Sequence, residues 1–338
     1  MTYLLYSIEI VVTLLLGAAC GALLVRRRIL HEQALKDLSA IVMNVTLPCL
    51  LFANIVPAVS VAALARWWLL PAAALLNIGA GLLAGWLGTR LARTPAELTR
   101  GAMAQVACGN GAYIPLAIIA VLLQARPALF GDKNAAALGV TYASLYLIAY
   151  SPLQWGVVFP FLSHKPLRAL RLRHVLTAPI VAGLAAVVIG LLPWAKALLL
   201  GDNAPLAAVY HAAQLISLAT VPCALLIIGG NLAHGPRPVL LTWPTIVTAG
   251  LGRFVVMPLV ALAGIAAFRA LGVLPAGDKV LYFVLLLQGF VPPAMNLMVM
   301  YEVLGHCKKD MAALMFWLYL AAIPMMALWL TFGIKVVQ

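Results

Sequence analysis

Two short segments of this 338-residue chain carry residues whose types and spacing suit binding chemistry. The first reads Cys108-Gly109-Asn110-Gly111-Ala112-Tyr113-Ile114-Pro115-Leu116, and the second Gln288-Gly289-Phe290-Val291-Pro292-Pro293-Ala294-Met295-Asn296. Glycines around an Asn weaken a helix, and a proline inside a helix removes a hydrogen bond yet suits the first turn of a new one. The first segment therefore predicts one helix ending near Gly109 and another starting near Pro115. The paired prolines predict the same break in the second, with a new helix from about Pro292. A helix start presents unpaired N–H groups and the positive end of a dipole, roughly half a charge. Two such ends facing each other make an anion site without any buried Lys or Arg. Asn110 and Asn296 add amide donors and acceptors beside them. Capping is the simpler role for each Asn; binding is preferred, because polar groups at membrane depth are usually functional, and the two roles are compatible. Gln105 and Gln288 precede the breaks and either line the path or bond a neighbouring helix. The expected substrate-binding set is Asn110, Gly111, Tyr113, Pro115, Gln288, Pro292, Pro293 and Asn296.

The elements that must hold these segments follow from composition. The chain is 65% hydrophobic and 9% charged, against about 25% charged in soluble domains. A soluble protein this apolar has no way to cover its surface, whereas lipid tolerates it. Ten stretches approach the roughly 20 apolar residues that a bilayer requires: 4–25, 37–58, 67–89, 101–124, 136–162, 175–199, 206–232, 243–270, 280–304 and 311–334. The fourth and ninth are the two interrupted by Gly, Asn and Pro. The first stretch follows no positively charged segment and is long enough to span, so it is expected to be a retained helix and not a cleaved signal.

Charge orients the spans. The net charge is +13, but the basic residues sit in short gaps between apolar runs and form no patch, so nucleic-acid binding is set aside. With the N-terminus outside, the inner loops hold Arg26, Arg27, Arg28 and Lys36; Arg90, Arg93 and Arg100; Lys165, Arg168, Arg171 and Arg173; Arg237; and Lys308 and Lys309. That is fourteen of the 22 Lys and Arg, and the bias favours ten spans with both termini on the non-cytoplasmic side.

The halves echo each other. Thr46-Leu47-Pro48-Cys49-Leu50-Leu51-Phe52 and Thr220-Val221-Pro222-Cys223-Ala224-Leu225-Leu226 match at Thr, Pro, Cys and the second Leu with an offset of 174. Leu70-Pro71-Ala72 and Met257-Pro258-Leu259 are a weaker echo. A five-span unit crosses an odd number of times, so its second copy inserts upside down. Inverted repeats with interrupted helices at matching positions point to a transporter site at the midplane. The expected fold is all-α, ten transmembrane helices as two inverted five-helix repeats, at 1–162 and 175–338, with a short cytoplasmic linker at 163–174.

Other residues receive plainer readings. Asn44, Thr46, Asn54, Gln214 and Asn231 are assigned to interhelical hydrogen bonds. Arg253, the strong base placed inside a span, is assigned to snorkelling toward the inner interface. Tyr142, Tyr146 and Tyr150 form one helical stripe, with packing as the default and a substrate-facing wall as the alternative. Gly79, Gly81, Gly85 and Gly88 let the third span pack closely. Five isolated cysteines imply neither disulfides nor a metal site. The middle of every span lacks Asp and Glu, which argues against carboxylate-based cation coupling. No catalytic residues, metal or cofactor are expected.

At these residues the chain resembles the auxin efflux carrier family, which holds the plant PIN proteins, the PIN-LIKES proteins and bacterial relatives. Asn110 to Leu116 is similar to that family's Asn-x-x-x-x-Pro-Leu break, and Thr46 to Phe52 fits its Leu-Pro-x-Leu-x-Phe element. Gly139 to Tyr142, Ile228-Gly229-Gly230-Asn231-Leu232 and Pro292-Pro293-Ala294-Met295-Asn296 look closest to PIN-LIKES. The resemblance covers nearly the whole chain. It implies a scaffold of spans 1, 2, 6 and 7, a moving bundle of spans 3–5 and 8–10, and organic-anion substrates such as auxin or other carboxylates. It also implies an elevator-like movement, with the family's Asn residues at Asn110 and Asn296. Plant PIN proteins often carry a long hydrophilic central loop, which is absent at Ser163 to His174. The reading is an exporter of small organic anions, working as a uniporter, in a plasma or inner membrane, or the endoplasmic reticulum of a eukaryote. A homodimer in the bilayer is an admitted assembly. A sodium- or proton-coupled symporter and an anion-binding membrane receptor stay open as alternatives.

Overall fold

The computed structural model describes residues 2–60, 67–163, 176–201, 204–233, 235–236, 238–275, 277–305 and 307–337. The expected linker beyond Ser163, Arg66, Arg237 and the Glu302 side chain lie outside the described residues. Thirteen helices are described in chain order: α1 (Thr2–Arg26), α2 (Glu32–Ala58), α3 (Leu69–Leu91), α4 (Ala96–Ala107), α5 (Tyr113–Ala125), α6 (Ala135–Ser163), α7 (Ala178–Leu191), α8 (Pro193–Leu199), α9 (Ala207–Leu232), α10 (Trp243–Ala270), α11 (Lys279–Phe290), α12 (Asn296–Leu304) and α13 (Lys308–Val337). Seven of them, α1, α2, α3, α6, α9, α10 and α13, are long and apolar enough to cross a bilayer, and α7 with α8 forms an eighth stretch bent by 109°. Continuous Leu, Ala and Val runs explain the choice of helix, which satisfies every backbone group internally where water is absent. Their outer faces stay apolar, as at Leu16, Leu83, Leu215 and Leu259, a surface that suits lipid and not water.

Three long helices contain one widened turn, at Val42–Thr46 in α2, Gln154–Val158 in α6 and Gly252–Val256 in α10. A proline stands two residues beyond each: Pro48, Pro160 and Pro258. A proline offers no N–H and its ring crowds the carbonyl four residues back. The residue before each proline bonds five residues back instead, Leu47 to Val42, Phe159 to Gln154 and Met257 to Gly252. The helix continues through a π-type turn. Met43, Gln154 and Arg253 lie in these turns and reach the centre of the molecule.

Small residues set the closest approaches. A Cβ on Gly229 would stand 1.7 Å from the Ala18 carbonyl oxygen, and one on Gly21 2.2 Å from that of Leu226, so α1 and α9 touch backbone to backbone. The α3 glycines behave as their spacing predicts at two positions, Gly81 against Ala107 and Gly85 against Met103. Gly79 faces open space and Gly88 approaches Thr248 of α10. The tyrosine stripe of α6 faces inward: Tyr142 donates to Asp278, and the Tyr146 hydroxyl accepts from Asn77 of α3.

The polar residues of α2 and α9 differ from expectation. Asn44 and Asn54 donate to the carbonyls of Ala40 and Leu50, one turn back in their own helix, and Gln214 donates to Tyr210 in the same manner. Each donor is thereby satisfied inside its own helix, by the Ala40 and Leu50 carbonyls for the two Asn and by the Tyr210 hydroxyl for Gln214. The Thr46 hydroxyl is buried without a partner, and Asn231 is exposed. Interhelical bonds here come from Tyr210, whose hydroxyl donates to the Ala53 carbonyl, and from Thr141 of α6, whose hydroxyl donates to the Asn54 carbonyl.

Candidate binding site at the meeting of two chain breaks

Helix α4 stops at Ala107 and α5 starts at Tyr113, while α11 stops at Phe290 and α12 starts at Asn296. These four helices have 12, 13, 12 and 9 residues, each too short alone for a hydrocarbon core of about 30 Å at 1.5 Å per residue. The intervening segments run antiparallel against each other. Asn110 N–H donates to the Pro292 carbonyl at 2.7 Å, and Ala294 N–H donates to the Cys108 carbonyl at 2.8 Å, which pairs Gly109 with Pro293. In an antiparallel pair of this kind the two opposed residues exchange no N–H bond with each other. Pro293 therefore sits where its missing N–H costs nothing. The second break differs from the expected start near Pro292: both prolines lie in the extended segment and the helix begins at Asn296. Proline disfavours helical backbone in the residue before it, so Pro293 holds Pro292, and Pro292 holds Val291, out of a helix; Val291 is extended at φ −69°, ψ 150°.

Asn110 joins both sides of the junction. Its Oδ1 accepts from Tyr113 N–H at 3.0 Å, its Nδ2 donates to the Tyr319 hydroxyl at 2.9 Å, and that hydroxyl donates to the Pro293 carbonyl at 3.0 Å. The capping role is thus realised. Asn296 is half-buried, and its amide makes no hydrogen bond among the described residues. Gln288 donates from behind to the Gly111 carbonyl at 3.2 Å, and its Oε1 has no partner. Gln105 donates to the Met311 carbonyl of α13. Tyr150 donates to the Gly109 carbonyl at 2.9 Å.

Arg253 corrects two expectations. It is 1% exposed and reaches no interface. Its Nε donates to the Val291 carbonyl at 2.6 Å, and its two terminal nitrogens donate to the carbonyls of Val106 at 3.0 Å and Gln288 at 3.3 Å. The guanidinium sits between the C-terminal ends of α4 and α11, whose last carbonyls carry partial negative charge. The junction therefore does contain a buried cation. The π-type turn ahead of Pro258 aims Arg253 inward, away from the surface it would otherwise seek.

A cleft opens beside the junction, between the two breaks and helices α2, α6 and α7. It is narrow, with a cavity volume of about 40 Å³. Asn110, Gly111, Tyr113 and Asn296 line it, as does Tyr150 of the tyrosine stripe; so do Ser151 and Gln154, which sequence reasoning did not single out for binding. Leu47, Leu51, Leu147 and Ile148 make its apolar wall. Gln154 is 2% exposed and its Nε2 donor has no partner. Pro115 is buried within α5, and Pro292 faces a second, almost wholly apolar cavity of about 140 Å³ between α1, α9 and α13. Of the eight expected residues, four thus line the polar cleft, and Pro115, Gln288, Pro292 and Pro293 shape or brace the junction instead. The missed residues left little signal: Gln154 and Arg253 are each followed by a proline a few residues on, and Tyr319 has no local mark.

An all-helical fold with several bilayer-length helices and paired helix interruptions at its centre is that of a multi-pass membrane protein. The chain belongs to the membrane transport protein family, the auxin efflux carriers, whose model matches residues 6–166 and 162–330. It is similar to Protein PIN-LIKES 6 of Arabidopsis thaliana, 27% identical, with 91% of this chain and 87% of the relative covered. It is similar also to PIN-LIKES 1 of that plant, 26% identical with 90% and 73% covered, and to PIN-LIKES 7, 24% identical with 97% of both covered. The family is one of membrane transporters and not of enzymes.

Proposed function

We propose that the chain is a secondary transporter that exports small organic anions, auxin-like or other carboxylates, by elevator-type alternating access without a coupling ion. The observation that carries this reading is the cleft at the paired breaks. The side-chain amides of Asn296 and Gln154 face it together with an apolar wall, and the N-terminal ends of α5 and α12 flank it. Amide donors and helix starts suit a carboxylate, and the Leu and Ile wall suits its carbon skeleton. An inside-negative potential favours anion exit by about 2.3 kcal/mol per charge per 100 mV.

The architecture we assign is ten crossings in two inverted repeats, 1–162 and 175–338, with α4–α5 and α11–α12 as the fourth and ninth. Reciprocal packing supports it: α1 lies on α9 and α7 lies on α2, as a repeat that exchanges the first span with the sixth and the second with the seventh requires. Thr46 and Thr220, related by the offset of 174, are both buried with unpartnered hydroxyls. The scaffold would be α1, α2, α7, α8 and α9, and the moving bundle α3–α6 and α10–α13, with both termini on the non-cytoplasmic side.

The test is solid-supported membrane current from proteoliposomes challenged with a carboxylate panel that includes indole-3-acetate. At least one anion gives a current in the parent protein that Asn296→Ala and Gln154→Ala abolish. Undiminished currents in both variants remove the cleft from the transport path, and binding without any current favours a receptor.

A further inference from the structure

We infer that Arg253 is a tethered counter-cation, occupying the place at the junction where a cation-coupled carrier of this architecture would hold a dissolved ion. The inference rests on the transport reading above. Unwound carbonyls and the C-terminal ends of half-helices are what transporters with interrupted helices use to coordinate Na⁺. Here three such oxygens, from Val106, Gln288 and Val291, converge on one guanidinium. They come from both interrupted pairs, so one cation satisfies the ends of α4 and α11 together. No carboxylate among the described residues pairs with Arg253, so its charge answers the carbonyl dipoles and not an acid. Guanidinium stays protonated at every physiological pH. A permanent covalent cation at this place needs no exchange with solution in each cycle.

The same contacts join three parts of the proposed moving bundle. Arg253 comes from α10, Val106 from α4, and Gln288 and Val291 from the end of α11. A Cβ on Gly109 would stand 2.0 Å from its Nη2, so the break is seated directly on the guanidinium. Arg253 is thus a positioning residue: it holds the junction in shape and supplies the local positive charge, while the cleft residues face the solute.

The experiment uses the full chain in detergent and compares it with Arg253→Ala, reading melting temperature in choline, sodium and millimolar guanidinium chlorides at equal ionic strength. Ligands that bind the folded form alone raise its stability by mass action. The parent protein is expected to melt at the same temperature in all three salts. The variant melts lower in choline, and sodium or guanidinium restores about half of the loss or more. A purely structural arginine predicts a variant that no small cation rescues, and that result overturns the inference. If Arg253→Ala does not fold, Arg253→Met keeps the bulk without the charge and is measured in the same salts. If neither folds, the parent protein decides: stabilisation by sodium over choline shows a dissolved ion at work beside Arg253 and sinks the proposal, and salt indifference upholds it. Melting needs no substrate, so a failure of the carboxylate screen leaves this result readable on its own.

Discussion

The Nδ2 of Asn110 donates to the Tyr319 hydroxyl at 2.9 Å, and the same hydroxyl donates to the Pro293 carbonyl at 3.0 Å. One phenol from α13 therefore joins residues 110 and 293, on opposite sides of the junction, and aims the Asn110 amide. Tyr319→Phe deprives two buried groups of partners at once. We expect a loss of about 1–2 kcal/mol, above the roughly 0.6 kcal/mol average for single interhelical bonds, seen as a lower melting temperature. A variant as stable as the parent would show that the relay carries no weight.

Asn110→Asp separates capping from binding. The substituted carboxylate still accepts from Tyr113 N–H but no longer donates to Tyr319, so the protein folds with a stability loss like that of Tyr319→Phe, and the charge it places in the cleft is negative. Like charges brought together cost several kcal/mol, so anion affinity falls on the order of 100-fold. Asn110→Ala, by contrast, loses the cap and costs about 1 kcal/mol in stability. Calorimetric titration with a carboxylate that the parent binds distinguishes the two; unchanged affinity in the Asp variant contradicts a site at Asn110.

The two glycines of the first break respond differently to a methyl group. In Gly109→Ala the new Cβ meets Arg253 at 2.0 Å, and Arg253 is held by three carbonyls. Overpacking of this kind costs about 1–3 kcal/mol or more, and little folded protein should survive size-exclusion chromatography. In Gly111→Ala the nearest atoms are Gln288 Oε1 at 3.1 Å and the Tyr150 ring at 3.3 Å. Small shifts accommodate it, so that variant folds and carries bulky anions poorly. Equal yields from both would contradict the geometry at Gly109.

Cys307 reports on orientation. It lies between α12 and α13, beside Lys308 and Lys309, in a loop assigned to the cytoplasmic side. Burial, and then the carboxylates of Asp310 and Glu97, raises its thiol above the usual value. The thiolate is the reactive form, so its fraction at neutral pH is below that of an ordinary thiol and grows as pH rises toward the elevated pKa. A variant with Cys307 as its single cysteine should react with a membrane-impermeant maleimide slowly at neutral pH, faster with added base, and from the cytoplasmic side alone. Labelling from the outside reverses the topology.

The positions of the chain interruptions were legible because they are local backbone chemistry. Gly109 and Gly111 weaken a helix wherever they stand, and Pro292 and Pro293 cannot donate hydrogen bonds in any fold. Even so, the start of α12 was placed four residues early. A proline suits a helix start when considered alone, but here Pro293 lies opposite Gly109, a partner 184 positions away in sequence. Asn44, Asn54 and Gln214 bond within their own helices, and Asn44 and Gln214 lie on exposed faces, a placement that the residues themselves do not reveal.

Composition and local backbone rules alone determined that this chain is helical, belongs in lipid and is interrupted near residues 110 and 292. Both depend on what each residue does to its own segment and its own solvent. Only the tertiary structure decided that Arg253 is buried between helix ends, that Asn110 is committed to Tyr113 and Tyr319, and that Gln154 faces the cleft. Those facts depend on which distant segments meet, and a side chain's energy is set by the neighbours that packing brings to it.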